Sequence, residues 1–434
     1  MRQRSQVWNT GNGPRRSPRR LLEAVTFCQV VSLLASLLFG HYLGFSTIEL
    51  LLSPAYDGWC NRLVGEGVGD HCFGDFGHSL YNSRQDSPWA NTRYGNPYPP
   101  TALLVFRAFG HLARLGSYNL SLFVYLAAMV LAVWFASKLL SKGSTSPEQG
   151  STALYMTYLL SSWPVFFAFD RGNNILLLLP LFVILLSSKG LTRRKTLTVI
   201  LLISCVKPQF LIVLIVVGFG ELIFYSGVFA LIQFAAALLT VGVNESPAAY
   251  VDWVRNLVAF DDYAAYGTTL SFQHFFARLL QLFGLDSADW TWFKPGFIVA
   301  VLTLFVMVAA RSKIRASQQM RVIALSSVCL GATFVSDTVF GYYGVVALIC
   351  AWMTFHALNR SDPPLVFSAR TRRVEYMSVV VVVLSSVTFV IPASGLNYME
   401  SVISGPVLLF QLALLSVFLP ERHQKQMNGS EARS

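Results

Sequence analysis

The chain runs to 434 residues, 54% of them hydrophobic and only 13% charged, with a mean hydropathy of +0.52. A soluble surface draws on about twice that share of charged residues, so a water-exposed globule, a disordered chain and a coiled coil are excluded. What remains is an all-α polytopic membrane protein. Its net charge of +11 is no signature of a polyanionic partner, because the lysines and arginines cluster between apolar runs, where cytoplasmic loops carry them.

Residues 1–20 form a basic cytoplasmic tail with six arginines, Arg2, Arg4, Arg15, Arg16, Arg19 and Arg20. The apolar run 21–43 is long for a signal-peptide core and lacks a small-x-small cleavage site, so it reads as an uncleaved first helix. The following loop, 44–97, carries six acids (Glu49, Asp57, Glu66, Asp70, Asp75, Asp86) against three arginines (Arg62, Arg84, Arg93), which places it outside. In it, Cys60 and Cys72 lie twelve positions apart in an oxidising compartment. A Cys60–Cys72 bridge is worth roughly 3 kcal/mol in the chain-entropy model. Cys28, Cys205, Cys329 and Cys350 read as apolar packing residues within spans.

The segment 99–115 is apolar but sets Arg107, His111 and Arg114 on one helical face. Counting it as a span inverts every later loop, so it reads as an interfacial or re-entrant helix closing an outer region, 44–117. Its basic face either contacts a ligand or merely snorkels. Further runs at 118–138, 152–169, 173–188, 195–206, 208–224, 226–243, 296–311, 321–336, 341–358, 376–392 and 402–419 bring the count to about twelve spans. The basic loops 189–195, 311–321 and 359–374 and the tail 420–434 then fall inside. A second outer loop, 244–295, holds Glu245, Asp252, Asp261, Asp262, Asp286 and Asp289. Residues 21–419 make one membrane domain, with both termini cytoplasmic.

The polar residues between spans are one-sided. Asp170-Arg171-Gly172-Asn173-Asn174, Lys207-Pro208-Gln209, the stretch 268–274 with Gln273 and His274, and Asp337 with Tyr342 and Tyr343 all fall outside. The run 195–206 covers roughly 18 Å, against a hydrocarbon core of about 30 Å. Lys207 therefore sits below the outer surface, where broken backbone is tolerated only beside protein or a cavity. Asn173 and Asn174 either contribute to a site or cap the following helix. Trp89 and Tyr98 read as interfacial belt aromatics, with sugar stacking as the alternative for an aromatic face. One-sided chemistry suits an enzyme better than a carrier, whose polar groups gather at the midplane between two repeats.

Taken in order, Asp75-Phe76, Asn96-Pro97-Tyr98-Pro99-Pro100, Arg171-Gly172-Asn173-Asn174, Val206-Lys207-Pro208, Leu270-Ser271-Phe272-Gln273 and the aromatic pair after Asp337 resemble glycosyltransferase family 87. The resemblance extends over about 21–358. It implies a GT-C membrane enzyme like the actinobacterial mannosyltransferases that use polyprenyl-phosphate-mannose, placed in the cytoplasmic (inner) membrane with its active site outside. Asp75 matches the family's catalytic base, with Asp57 and Asp86 as fallbacks. Lys207 and Arg171 are the cations for the donor's lipid phosphate. Asn173, Gln273, His274, Tyr342 and Tyr343 are candidates for donor contact, and Arg107, Tyr98 and Asp337 are additional ones. No cofactor or metal is expected. The expected partners are the polyprenyl-phosphate sugar, a lipid, glycolipid or lipoglycan acceptor, and membrane lipid, without nucleic acid.

Where the family often carries Trp-x-His-His, this chain has Phe340-Gly341-Tyr342-Tyr343. Tyrosine donates a hydrogen bond but does not become cationic near neutral pH, so other residues must supply that charge. The competing readings are a pentosyltransferase with a similar donor and a transporter or flippase of lipid-linked sugars.

Overall fold

The computed structural model describes residues 18–42, 73–90, 98–142, 150–187, 191–259, 300–308, 318–334, 343–359, 369–384 and 393–418. All regular structure among them is helical. The helices are α1 (Pro18–Tyr42), α2 (Gly74–Ser83), α3 (Pro100–Leu115), α4 (Tyr118–Lys142), α5 (Thr152–Ser161), α6 (Trp163–Arg171), α7 (Ile175–Leu186) and α8 (Arg193–Val206). A 3-10 helix (Pro208–Val216) follows, then α9 (Phe219–Val241) and α10 (Ser246–Ala259). After a helical stretch over 300–308 come α11 (Gln318–Phe334), α12 (Gly344–Asn359), α13 (Ala369–Leu384) and α14 (Ala393–Ser416).

The core is built around α7 and α12. Every residue from Val345 to Trp352 is buried, so α12 is apolar on all sides and is packed on all sides. It contacts α7, α11 and α13, while α4 packs against α7 and α5. Helices α4 and α9, of 25 and 23 residues, are both long and apolar enough to cross a bilayer. They leave Phe123, Leu131 and Phe135, and Phe224, Leu231 and Leu239, exposed on their outer faces. A soluble protein does not leave such stripes bare. They are lipid-facing surfaces.

Three apolar runs differ from the sequence reading. The run 152–169 is broken: α5 starts on a Ser151 cap, whose Oγ accepts from the Leu154 N–H at 3.2 Å, and stops at Ser162 in extended geometry. Pro164 explains the stop, since its ring lacks an N–H and clashes with the carbonyl four residues back. The runs 208–224 and 226–243 are redrawn as a nine-residue 3-10 helix and the longer α9. Here Pro208 again ends the preceding helix and pushes Lys207 out of helical geometry, to φ −132° and ψ 88°.

The segment expected as an outer interfacial helix is α3, which packs against α2, α4 and α9. Arg107 Nη1 donates to the Thr240 carbonyl, in the last turn of α9, where a cation meets both an orphan acceptor and the negative end of the helix dipole. His111 and Arg114 stay exposed. Trp89 is not a belt residue. It is fully buried in a small cluster with Leu103, Phe229, Ala249 and Trp253, and its indole N–H donates to the Tyr98 carbonyl at 3.0 Å. The carbonyl of Trp89 in turn accepts from Asn256 Nδ2 at 3.0 Å, which ties this loop to α10.

Candidate active site

Asp75 stands in the first turn of α2, which begins at a left-handed residue, Phe73, with φ 65°. The next side chain fixes the helix in place. Phe76 is fully buried, stacks on Tyr125 of α4 at 4.5 Å between ring centroids, and meets Phe106 and Phe109 of α3 edge-on. A buried aromatic one residue from a carboxylate leaves that carboxylate little freedom.

The facing wall is the turn between α6 and α7. Gly172 adopts φ 61°, and the N–H groups of Gly172 and Asn173 close back onto the carbonyls of Phe169 and Ala168 at 2.9 Å each. This is a Schellman end, which needs a left-handed residue and so favours glycine. Space requires glycine as well, because a Cβ there lies 2.9 Å from Phe76 Cβ. Tyr125 locks the turn from below, its hydroxyl donating to the Gly172 carbonyl at 3.1 Å.

With the two walls so close, Asp75 is held from both sides. Arg171 Nη2 reaches its Oδ1 at 2.8 Å and Asn173 Nδ2 reaches its Oδ2 at 2.6 Å. The Arg171 and Asp75 side chains are only 12% and 13% exposed, so the pair is largely withdrawn from water. Asn173 also steadies the start of α7: its Oδ1 accepts from the Ile175 N–H at 3.0 Å, whereas the N-cap residue, Asn174, makes no side-chain cap bond. Each carboxylate oxygen has a second acceptor site beyond the bond it makes here.

Lys207 occupies the break after α8 and is buried. Its ammonium lies over two rings, 5.2 Å from the centroid of Tyr98 and 5.1 Å from that of Tyr343, within cation–π range. Gln209 Nε2 donates to the Tyr343 hydroxyl at 3.2 Å. Tyr98 joins the two halves of the site. Burial first, then the Asp75 charge and the neighbouring Tyr125 and Tyr343, push its phenol well above the usual tyrosine range, so it stays a neutral O–H donor at any physiological pH. Its ring belongs to this assembly rather than to a membrane-interface belt.

The structure thus brings together Asp75, Arg171 and Asn173, and beside them Lys207, Tyr98 and Tyr343. Arg107 sits apart, at the end of α9. Gln273, His274, Asp337, Tyr342, Asp57 and the Cys60–Cys72 pair lie outside the described residues. Asp86 is exposed beyond the end of α2. Cys28, Cys205, Cys329 and Cys350 are free thiols. Among the described residues no three of His, Cys, Asp and Glu gather as a metal site. The roles of Phe76 and Tyr125 as anchors were missed in the sequence, since aromatic residues at helical spacing read as generic core.

The sequence model of glycosyltransferase family 87 matches residues 96–337, a span that includes Tyr98, Arg171, Asn173 and Lys207 and begins after Asp75. No curated protein and no solved structure matches the chain. With more than half of its length matched and its apolar helices bare on their outer faces, the chain belongs to glycosyltransferase family 87 and is a membrane glycosyltransferase.

Proposed function

We propose that the protein is a GT-C type enzyme of about twelve spans that moves mannose from a polyprenyl-phosphate carrier to a lipid or glycolipid acceptor outside the cytoplasmic membrane. The observation that carries this reading is the Asp75 carboxylate, clamped by Arg171 and Asn173 next to a buried lysine boxed by two tyrosines. In the reaction, the acceptor hydroxyl attacks the anomeric carbon from the face opposite the phosphate, and the bond from that carbon to the phosphate oxygen breaks. Asp75 takes the hydroxyl proton as the new glycosidic bond forms. The polyprenyl phosphate leaves with the bonding electron pair, and its charge falls to the Lys207 ammonium. Arg171, engaged with Asp75, acts chiefly by aiming the base.

One displacement at carbon inverts the anomeric centre. The Tyr98 and Tyr343 hydroxyls supply neutral donors for sugar or phosphate oxygens, Tyr343 standing where the family often has a histidine. The donor's tail enters from the bilayer, and the product is an envelope glycolipid. Family membership favours this enzyme over a flippase of the same lipids.

The test is transfer of radiolabelled mannose from polyprenyl-phosphate-mannose to membrane lipids, with the wild-type chain and a folded Asp75→Asn variant. Transfer by the wild type, reduced about a thousandfold in the variant, supports the reading. Equal transfer by both removes Asp75 from the mechanism. Label accepted only from a pentosyl donor moves the donor assignment to that sugar.

A further inference from the structure

Gln233 is fully buried in the apolar α9, and the reaction above makes no use of it. A primary amide inside a membrane-spanning helix is costly unless it is fully bonded, and this one is. Its Oε1 accepts from the Thr101 backbone N–H at 3.1 Å, and its Nε2 donates to Thr101 Oγ1 at 2.9 Å. The Thr101 hydroxyl passes its own hydrogen to the Cys205 carbonyl, toward which Gln233 Nε2 also points at 3.4 Å.

Both backbone groups are orphans of helix ends. The Thr101 N–H belongs to the first turn of α3 and the Cys205 carbonyl to the last turn of α8. Tyr98 lies three residues before the first of them, and Lys207 two residues after the second. One side chain of α9 therefore ties together the two helix ends that carry the ring and the ammonium.

We infer that Gln233, through Thr101, is a positioning residue that sets the spacing between Lys207 and Tyr98; this rests on the proposed role of Lys207 in holding the leaving phosphate. An ordinary buried amide that only satisfies helix ends contributes to stability and is indifferent to Lys207. A brace contributes to turnover, and only when Lys207 is present.

The full-length protein in detergent answers this in two ways. With the polyprenyl-phosphate donor, Gln233→Leu lowers kcat by at least about tenfold and leaves KM within about twofold, as expected for a misplaced group. In a Lys207→Met background the same substitution changes kcat by less than about twofold, because coupled residues are not additive. Independently of any substrate, a chain with native cysteines replaced and Tyr98→Cys and Lys207→Cys introduced is treated with a short bis-maleimide, which adds one thiol at each end. Its cross-linking yield falls when Gln233→Leu is added.

Equal kcat losses in the two backgrounds, or an unchanged cross-linking yield, overturn the inference. If the donor proves to be wrong, the cross-linking result alone decides it, and the donor assignment fails separately. If Gln233→Leu does not accumulate in the membrane, Thr101→Val replaces it in both arms. Thr101→Ser, which keeps the hydroxyl, then restores turnover and cross-linking if the brace is real and restores neither if it is not.

Discussion

The helical path is interrupted at Gly172 and again at Lys207, and the two breaks are closed in opposite ways. At Gly172 the chain closes on itself: two N–H groups return to the helix they leave, and the adjacent asparagine steadies the start of the helix that follows. At Lys207 a proline ends the helix, and an acceptor two residues earlier is satisfied by a threonine and a glutamine from elsewhere in the chain. The first break closes its helix ends with local bonds, to which Tyr125 of α4 adds one from outside. The second takes its shape from three separate elements. A site built from both joins a rigid carboxylate wall to a wall whose geometry depends on distant packing.

That contrast is most open to attack at Lys207. Replacing it with methionine keeps the stem between the two rings and removes the charge, and we expect turnover to fall about a hundredfold with little change in thermal unfolding. A comparable loss of stability in the same variant means that the lysine is structural.

The local break is tested by Gly172→Ala. A left-handed alanine pressed against Phe76 is expected to cost about 2 kcal/mol, seen as a lower unfolding midpoint in detergent. Turnover falls with it, since α2 carries Asp75. An unchanged midpoint shows that α2 is loosely docked.

Tyr343→Phe keeps the ring over Lys207 and loses the bond from Gln209. A reduction of about threefold to fivefold in turnover corresponds to one neutral hydrogen bond. A larger loss assigns the hydroxyl a direct contact with substrate.

Arg107→Met is the smallest of these changes. It removes a cation at the end of α9 and is expected to cost about 1 kcal/mol of stability, with turnover within error of the wild type. Loss of turnover at full stability returns Arg107 to the active site.

Much of this was legible in the sequence, residue by residue. The Gly-Asn-Asn turn, the Lys-Pro break and the helix after the double proline are local signals, and local chemistry decides them. The expectation that the break at Lys207 lies beside protein or a cavity rests on a short apolar run before a proline, and the residue is buried. Gln233 was not legible as a brace, since a glutamine between isoleucine and phenylalanine carries no sign of what it will meet 132 residues away. Trp89 reads in the sequence as a belt aromatic, and Tyr98 as either belt or site, for a related reason. An aromatic ring near a bilayer has two homes, belt and core, and only tertiary packing chooses between them. The break at Ser162 was missed because hydropathy is blind to one proline within an apolar run.

The outer face of α9 has a consequence for how this protein tolerates change. Gly220 and Gly227 have open space around them, and Phe224, Leu231 and Leu239 face outward. Lipid accepts almost any apolar side chain at such positions, so a scan of apolar substitutions should be nearly flat on this outer face and lower where the helix is packed, at Phe229, Ala236, Ala237 and Thr240. It should drop sharply at Gln233, where the fittest alternatives to glutamine are few. Sequence drift can rewrite the outer face of α9 and leave its packed side, Gln233 included, as the fixed part.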